Sequence, residues 1–313
     1  MTPRLIFYFT GTGNSLYVAR SLAADDTEPV SIAQALRRGT ADYAVGEIGF
    51  VFPSYGQKAP GIVQDFIRAN RFRADYFFTV ITYGYRNSNA ADLWQRFAAE
   101  LLGIRFDYVR SVLMVDNYLP EFNMDRQASY GKKVDDQLAC VRGEIDRRLA
   151  FVDPFTEADC QWHDALEERL GTVGLEKPFI RRSETLFLVG PACNGCGTCT
   201  RVCPHGNWRL VEEPAVTTPG QESARQQAQE MARQEQSTVR QQAPGPTRRA
   251  VCAGSCETRV AVCSGLCETC LACIQNCPQR AITMPGERNP AARYRHPAVS
   301  LADLIAANNQ ALV

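Results

Sequence analysis

Residues 4–15 read RLIFYFTGTGNS, a short apolar run followed directly by a loop of glycine and hydroxyl residues. The run from Leu5 to Phe9 predicts a buried strand. Apolar side chains then recur with helical spacing from Leu16 to Ala23, so the loop joins a strand to an amphipathic helix. A strand that turns into a helix at a glycine-rich loop is typical of a doubly wound α/β sheet, where ligands bind at the carboxyl ends of the strands.

Further apolar runs alternate with helical patterns as far as residue 150. We expect strands at 48–52, 76–81 and 108–115, and helices at 59–70, 93–102 and 125–150, the last with an inner stripe of Val134, Leu138, Val141, Ile145 and Leu149. Alternating strands and helices predict a parallel sheet covered on both faces. A helical connector at 151–184 is expected to complete a first domain, residues 1–184.

The loop after the first strand is suited to an anion. Its glycines allow a tight turn, and its N–H groups can point at one phosphate that the helix dipole also favours. It lacks the lysine of the GxxxxGK[ST] loop, and Leu16 occupies the third glycine position of GxGxxG. A compact, hydroxyl-rich loop suits a terminal monophosphate such as that of FMN, and the candidate residues are Thr10, Gly11, Thr12, Gly13, Asn14 and Ser15.

Two later loops follow predicted strands at the same edge of the sheet. Tyrosines in them can stack on a flat ring while glycine N–H groups reach its polar edge. The alternative is that both are ordinary turns with tyrosines packed at the surface. The candidate ring-binding residues are Pro53, Ser54, Tyr55 and Gly56 in the first loop, and Thr82, Tyr83, Gly84 and the neighbouring Tyr85 in the second.

Eleven of the thirteen cysteines lie between Cys193 and Cys277, which indicates a metal domain appended to a cysteine-poor one. Two runs share the spacing C-x2-C-x2-C-x3-C-P. They consist of Cys193, Cys196, Cys199 and Cys203 before Pro204, and of Cys267, Cys270, Cys273 and Cys277 before Pro278. This spacing predicts two 4Fe-4S clusters in a ferredoxin-like domain, residues 185–290.

In two-cluster ferredoxins the fourth cysteine of each run binds the other cluster. We therefore expect one cluster on Cys193, Cys196, Cys199 and Cys277, and the other on Cys267, Cys270, Cys273 and Cys203. Gly195 and Gly197 would let backbone N–H groups approach the first cluster. The alternative metal is zinc, but zinc sites use paired C-x2-C knuckles separated by a loop.

The remaining cysteines carry weaker signals. Residues 252–258 (CAGSCET) and 263–269 (CSGLCET) resemble a local duplication, so Cys252, Cys256 and Cys263 are either spare thiols or a further metal or redox site. Cys263 also competes as a ligand of the second cluster. Cys140 and Cys160 are expected to be packed thiols.

Composition limits the possible partners and locations. The formal net charge is zero, which favours neither nucleic acid nor an anionic membrane as partner. No apolar stretch approaches 18 residues and no signal peptide is recognised, so we expect a cytoplasmic protein without a membrane span. A low-complexity insertion at about 212–262, rich in Gln and Arg between 219 and 247, interrupts the second domain, and residues 291–313 form a tail with a short helix at 300–307.

The motifs together resemble those of flavodoxin–ferredoxin fusion proteins, in which a flavodoxin-like domain precedes a bacterial-type two-cluster ferredoxin domain. The matching segments span most of the chain: FYFTGTGNSLYVAR at 7–20, GFVFPSYGQKAPGIVQDFI at 49–67, DNYLP at 116–120, CNGCGTCTRVCP at 193–204, CETCLACIQNCPQRAI at 267–282 and RYRHP at 293–297. The resemblance implies FMN in the first domain, two 4Fe-4S clusters in a small α+β second domain, and electron transfer between them. The 63 residues between Cys203 and Cys267 depart from a compact ferredoxin.

The leading hypothesis is therefore electron transfer between FMN and the clusters, linking a two-electron donor or acceptor to one-electron protein carriers. One alternative is a flavin-dependent iron–sulfur reductase with its own small substrate. Another is a ferredoxin with a degenerate, flavin-free docking domain. No catalytic residues are assigned, because His163, His205 and His296 are scattered and form no nucleophile arrangement. Trp94, Trp162 and Trp208 are expected to be packing residues.

Overall fold

A computed structural model describes residues 3–23, 28–170, 181–212 and 259–309 of the chain. Its central feature is a six-stranded sheet in which every neighbouring pair is parallel. Counted in chain order, the strands lie in the order 2-1-3-4-5-6, the flavodoxin-like order with one strand added. They are β1 (Arg4–Tyr8), β2 (Val30–Ser31), β4 (Glu47–Pro53), β6 (Tyr76–Tyr83), β7 (Tyr108–Leu113) and β8 (Phe151–Val152), while β3 (Asp42–Ala44) and β5 (Arg71–Arg73) form a separate parallel pair.

Helices cover this sheet, so its central strands are buried along nearly their whole length. One layer joins α1 to α6, and another joins α3 to α2 and α4. The helices of this part are α1 (Asn14–Leu22), α2 (Ile32–Arg37), α3 (Gly61–Ala69), α4 (Ala90–Leu102), α5 (Met124–Ser129), α6 (Val134–Asp146) and α7 (Glu157–Leu170). The predicted mixed α/β class with a parallel sheet is confirmed.

The single helix predicted at 125–150 is wrong. The chain leaves helical geometry after Ser129 and begins α6 at Val134, preceded by Lys133 in the left-handed region at φ 47°. Leu149 lies beyond α6 and is exposed, whereas Leu138, Val141 and Ile145 are buried as expected. Apolar spacing continued through this break, so periodicity alone did not reveal it.

Two short strands of the six-stranded sheet were also missed, as was the separate pair of β3 and β5. Strand β2 has two residues, and β8 lies in the segment treated as a helical connector. Runs this short carry no readable period of two. The segment 219–247, Cys252 and Cys256 fall outside the described residues.

The second part of the chain is built from two-stranded ladders and short helices. A hairpin ladder pairs β11 (Trp208–Glu212) with β12 (Arg259–Cys263), so the ends of the insertion are brought together. The other elements are β9 (Arg181–Arg182) paired with β13 (Leu266–Cys267), β10 (Leu188–Val189) paired with β14 (Ile282–Thr283), a 3-10 turn at Ser183–Thr185, α8 (Thr198–Val202) and α9 (Ala272–Gln275).

The C-terminal segment returns to the sheet domain. Its helix α10 (Leu301–Asn308) begins with a capping box between Ser300 and Asp303. Asp303 pairs with Arg20 of α1 at 2.9 Å, and the amide of Asn308 donates to the carbonyl of Thr10 at 2.9 Å. None of the helices in the described ranges has the length and apolar character needed to cross a membrane.

The loop after β1 is pressed against the cysteine-bearing part. A Cβ atom added at Gly11 would lie 2.3 Å from the carbonyl oxygen of Cys270, a separation that real Cβ atoms do not reach. Gly13 has φ 103°, and its Cα faces His296 and Val299. These glycines therefore serve a close approach between two parts of the chain as well as a tight turn.

We expect Gly11→Ala to destabilise the protein by about 1–3 kcal/mol, since the new methyl group meets backbone that cannot rotate away. Urea unfolding checks this, with Gly131→Ala as the matched control because nothing lies within 4 Å of a Cβ at that position. Equal unfolding midpoints for the two variants would show that the loops do not pack this closely.

Candidate redox centre and adjoining cavity

Four thiols from both cysteine runs surround one small cavity. Cys193, Cys196 and Cys199 come from the loop that enters α8, and Cys277 follows α9. Cys199 is buried and Cys196 is exposed. Burial raises the pKa of the Cys199 thiol to about 12, and the thiols of the other three members raise it further.

A second group lies deeper and contains Cys203, Cys267, Cys270 and Cys273, all of them buried. Burial raises the pKa of the Cys267 thiol to about 12. Burial also raises the pKa values of Cys270 and Cys273 well above the ordinary range, and the neighbouring thiols of the group add to this.

The two groups exchange one cysteine each. Cys203 belongs to the first run but lies with the second group, and Cys277 belongs to the second run but lies with the first. Cys199 and Cys273 are also within electrostatic range of each other, so the groups are neighbours. Cys277 thus shares one cavity with the first three cysteines of the first run, and Cys203 interacts electrostatically with the first three of the second run. The ligation of two clusters by these thiols stays a prediction.

Backbone N–H groups point at sulfur atoms in both groups. Asn207 N lies 3.4 Å from Cys203 Sγ, Thr269 N lies 3.3 Å from Cys267 Sγ, and Ala281 N lies 3.3 Å from Cys277 Sγ. Such donors stabilise a thiolate and tune the metal that it binds. The donor set thus suits sulfur atoms that carry negative charge.

The loop of the second run adopts an uncommon backbone. Thr269 and Leu271, on either side of Cys270, have φ values of 57° and 59°. This left-handed region is sparsely populated by residues with a Cβ, and least of all by β-branched ones. The surrounding structure must hold this loop in place around its three cysteines.

Within the described ranges, no three or more His, Cys, Asp or Glu side chains are grouped so as to hold one metal ion. Four ligands of a single ion must converge on one point. The ligands of a cubane cluster bind four separate iron atoms and stand further apart. The described thiols are therefore not arranged as a site for a single metal ion.

Three further cysteines are described. Cys263 donates to the carbonyl of Ser183 at 3.4 Å and lies within electrostatic range of Cys203 and Cys267, so it remains a competing ligand of the second group. Cys140 is exposed and Cys160 is half-buried.

A cavity of about 470 Å³ opens at the carboxyl ends of β4, β6 and β7. Its walls come from the two predicted ring-binding loops, from the segment after β7 and from the cysteine-bearing loop. They include Asn14, Pro53, Ser54, Tyr55, Gly56, Gln57, Thr82, Tyr83, Gly84, Tyr85, Arg86, Val115, Asp116, Asn117, Tyr118, Phe122, Trp162, Glu268, Thr269 and Leu271. The cavity therefore adjoins both the sheet edge and the second thiol group.

The expected phosphate loop is only partly turned to this cavity. Asn14 lines it, whereas Thr10, Thr12 and Ser15 are almost fully buried. Thr12 accepts from the Asn117 amide at 2.6 Å and Thr10 accepts from Gly13 N at 3.0 Å, so each hydroxyl retains its proton for a further acceptor. The loop thus keeps donors for an anion while being covered by other parts of the chain.

The cover is formed by the RYRHP segment. Tyr294 donates to Asn14 Oδ1 at 2.7 Å, and His296 N donates to the carbonyl of Thr12 at 2.9 Å. The ring of His296 stacks on Tyr17 at 4.2 Å between centroids. This segment thereby fixes the loop rather than leaving it open to solvent.

Glu268 joins the cysteine loop to the sheet domain. Its buried carboxylate accepts from Ile62 N in the first turn of α3, and its other oxygen lies 3.5 Å from the ring of His205. A negative charge is stabilised at that end of a helix. The sequence carried no signal for this role, because the cap and the helix are 206 residues apart.

Asp116 is a second carboxyl group that sequence reasoning did not single out. It lines the cavity, packs against Gly84 and accepts from Tyr118 N at 3.0 Å. Burial raises its pKa from an ordinary value of 3.8 to about 6, and Glu121 raises it further against the opposing effect of Lys132. A buried, perturbed carboxyl group in a cavity is typical of a functional site.

Searches of protein-family models and of curated proteins find no match to this chain.

Asp116→Asn should stabilise the protein at neutral pH but not in acid. Because the folded-state pKa lies above the unfolded one, ionisation disfavours the native state, and stability declines as the pH rises from about 3.8 to about 6. The amide removes this penalty, which amounts to about 3 kcal/mol above pH 7. Urea midpoints of both proteins between pH 4 and pH 8 check this, and a difference that does not depend on pH would contradict it.

Proposed function

We propose that the protein transfers electrons between a flavin in the cavity and two 4Fe-4S clusters on the crossed cysteine groups. The observation that carries the proposal is the shared wall: Glu268, Thr269 and Leu271 line the cavity and flank Cys270 of the second group. A ligand in the cavity would therefore lie next to the loop that holds a cluster.

The thiol groups support the cluster assignment. Each contains four cysteines, and backbone donors point at sulfur in both. When bound, the clusters supply one-electron chemistry. The protein supplies a buried setting for the second group and an exposed Cys196 in the first.

The cavity supports a flat aromatic ligand. Its volume of about 470 Å³ falls in the usual range for small-molecule sites, and aromatic side chains are among those that line it. Tyr83, Tyr118 and Phe122 offer ring surfaces, while Ser54 and Thr82 add polar groups. We assign the phosphate of FMN to the loop that contributes Asn14 to the cavity, where the Thr10 and Thr12 hydroxyls, which do not themselves line the cavity, keep protons to donate.

The exposures of the two groups suggest an order of transfer. The second group adjoins the cavity, the first group neighbours the second, and Cys196 of the first group reaches the surface. We assign the second cluster to exchange with the flavin and the first to exchange with a one-electron protein carrier.

A reductase acting on a small substrate is the second candidate. The cavity extends past the expected ring-binding loops to Trp162, Leu166 and Arg86, whose guanidinium lies 5.0 Å above the Trp162 ring. This leaves room for a molecule beside the flavin. Turnover of one defined substrate without a protein acceptor would favour this candidate.

Paired cysteine variants test the crossed clusters. The double variant Cys193→Ser/Cys277→Ser removes two ligands of one cluster, so about four of about eight iron atoms should remain. Cys193→Ser/Cys203→Ser removes one ligand from each cluster and should lose both. Iron and acid-labile sulfide analysis after anaerobic reconstitution measures this, with Cys140→Ser as a control that keeps all iron. The reverse pattern in the two double variants would show uncrossed ligation, and no bound iron in the wild type would refute the clusters.

FMN and riboflavin test the phosphate loop separately from the ring site. Thr12→Val should weaken FMN binding about 10- to 150-fold, because a hydrogen bond to a charged group contributes about 1.5–3 kcal/mol. Riboflavin, which lacks the phosphate, should bind the variant and the wild type alike, and this controls for the lost Asn117 contact. Fluorescence quenching measures both. If Thr12→Val weakens FMN and riboflavin binding equally, the phosphate does not bind at this loop. If the wild type binds neither ligand, the alternative of a flavin-free docking domain is favoured.

A further inference from the structure

The turn after β4 has a geometry that ordinary loops do not need. Tyr55 and Lys58 exchange two backbone hydrogen bonds of 2.9 and 3.1 Å across Gly56 and Gln57. Both central residues have positive φ, 56° and 69°, which defines a type I′ turn. Glycine tolerates this backbone, but Gln57 has a Cβ and adopts it at a cost.

The side chain of Gln57 is buried at 3% exposure and lines the cavity. Its Oε1 atom lies 2.6 Å from Nδ1 of His163. Its Nε2 atom is buried and has no hydrogen-bond partner among the described residues. An unpaired buried amide costs about 1–3 kcal/mol, so a strained turn that presents one indicates a ligand acceptor.

His163 is held by a buried ion pair. Its Nε2 atom lies 3.6 Å from Glu167, whose carboxylate contacts the ammonium of Lys58. Burial lowers the pKa of His163, whereas the charge of Glu167 opposes this effect. With Oε1 of Gln57 facing Nδ1, a proton on Nδ1 is donated to Oε1, and the Nε2 hydrogens of Gln57 are left for another acceptor.

We propose that Gln57 is a ligand-binding residue whose amide donates to a ring carbonyl or ring nitrogen at the polar edge of the flavin, and that His163 is its positioning residue. The assignment rests on the proposed flavin site and adds the donor that recognises the ring. The chemical class it selects is a flat heterocycle with an acceptor edge. A purely hydrocarbon ring would leave the amide unpaired.

The test uses riboflavin, which has the ring without the phosphate, and the full-length, iron-loaded chain. Gln57→Met keeps the side-chain length and removes both polar atoms. It should raise the riboflavin Kd about 3- to 10-fold, the equivalent of one hydrogen bond of about 0.5–1.5 kcal/mol. Gln57→Glu keeps the acceptor for His163 but replaces the donor with oxygen, so it should weaken binding at least as much.

His163 is tested by rescue. His163→Phe should weaken riboflavin binding, whereas His163→Asn, whose amide nitrogen approximates Nδ1, should restore it. If His163 has only a structural role, the riboflavin affinity of each variant should follow its stability, whether residue 163 is Asn or Phe. Far-UV circular dichroism and iron content establish that each variant is folded. The side-chain amide resonance of Gln57, assigned by its loss in Gln57→Met, should shift on riboflavin addition.

The outcomes separate this assignment from the function on which it rests. If riboflavin binds to the wild type and to Gln57→Met with the same Kd, and the amide resonance of Gln57 does not shift, Gln57 is not a donor to the ring. The proposed flavin site would remain. Absence of riboflavin binding to a wild-type protein that retains its iron overturns the flavin function and the donor together. If Gln57→Met fails to fold, Gln57→Glu, which also lacks the side-chain NH2 group, assigns the wild-type amide resonance, and that resonance then decides because a donor to the ring must shift.

Discussion

The close packing of Gly11 against the carbonyl group of Cys270 is the contact on which the arrangement of the site depends. It places the loop after β1 directly against the loop that carries three thiols of the second group. Three other contacts converge on the same edge of the sheet: Glu268 at the start of α3, Tyr294 on Asn14, and His296 on Thr12. Polar groups from distant parts of the chain are thus paired where the two parts meet, as buried polar groups must be.

Uncommon backbone geometry concentrates around the cavity. Gln57, Thr269 and Leu271 all have positive φ, and all three line the cavity wall. At a residue with a Cβ atom, this left-handed backbone lowers the stability of the fold, and packing alone does not call for it. All three positions belong to the lining of one cavity, which connects the cost of this backbone to the site that the cavity forms. Asp116 belongs to the same pattern, because its burial disfavours the charge that it carries at neutral pH.

The sequence predicted most of the sheet, because central parallel strands are continuous apolar runs such as those in β4 and β6. The position of Cys277 beside the first three cysteines of the first run was also predictable, because their spacing is that of two-cluster ferredoxins. Gln57, His163, Glu268 and Asp116 were not predictable. Their roles arise from tertiary contacts across 106 residues for Gln57 and His163 and 206 residues for Glu268 and Ile62, and no local pattern encodes such pairs. The break before α6 was missed because apolar spacing survives a short interruption.

The two parts of the chain cannot be treated as independent modules. Without residues 259–309, the cavity would lose the wall formed by Glu268, Thr269 and Leu271, and Asn14 would lose its Tyr294 partner. Helix α3 would lose the carboxylate at its first turn, and α10 would no longer pack on α2. The cysteine-bearing part would in turn expose Cys270, which is buried in the same apolar core as the sheet. The cavity exists as such only in the whole chain, because residues of both parts line it.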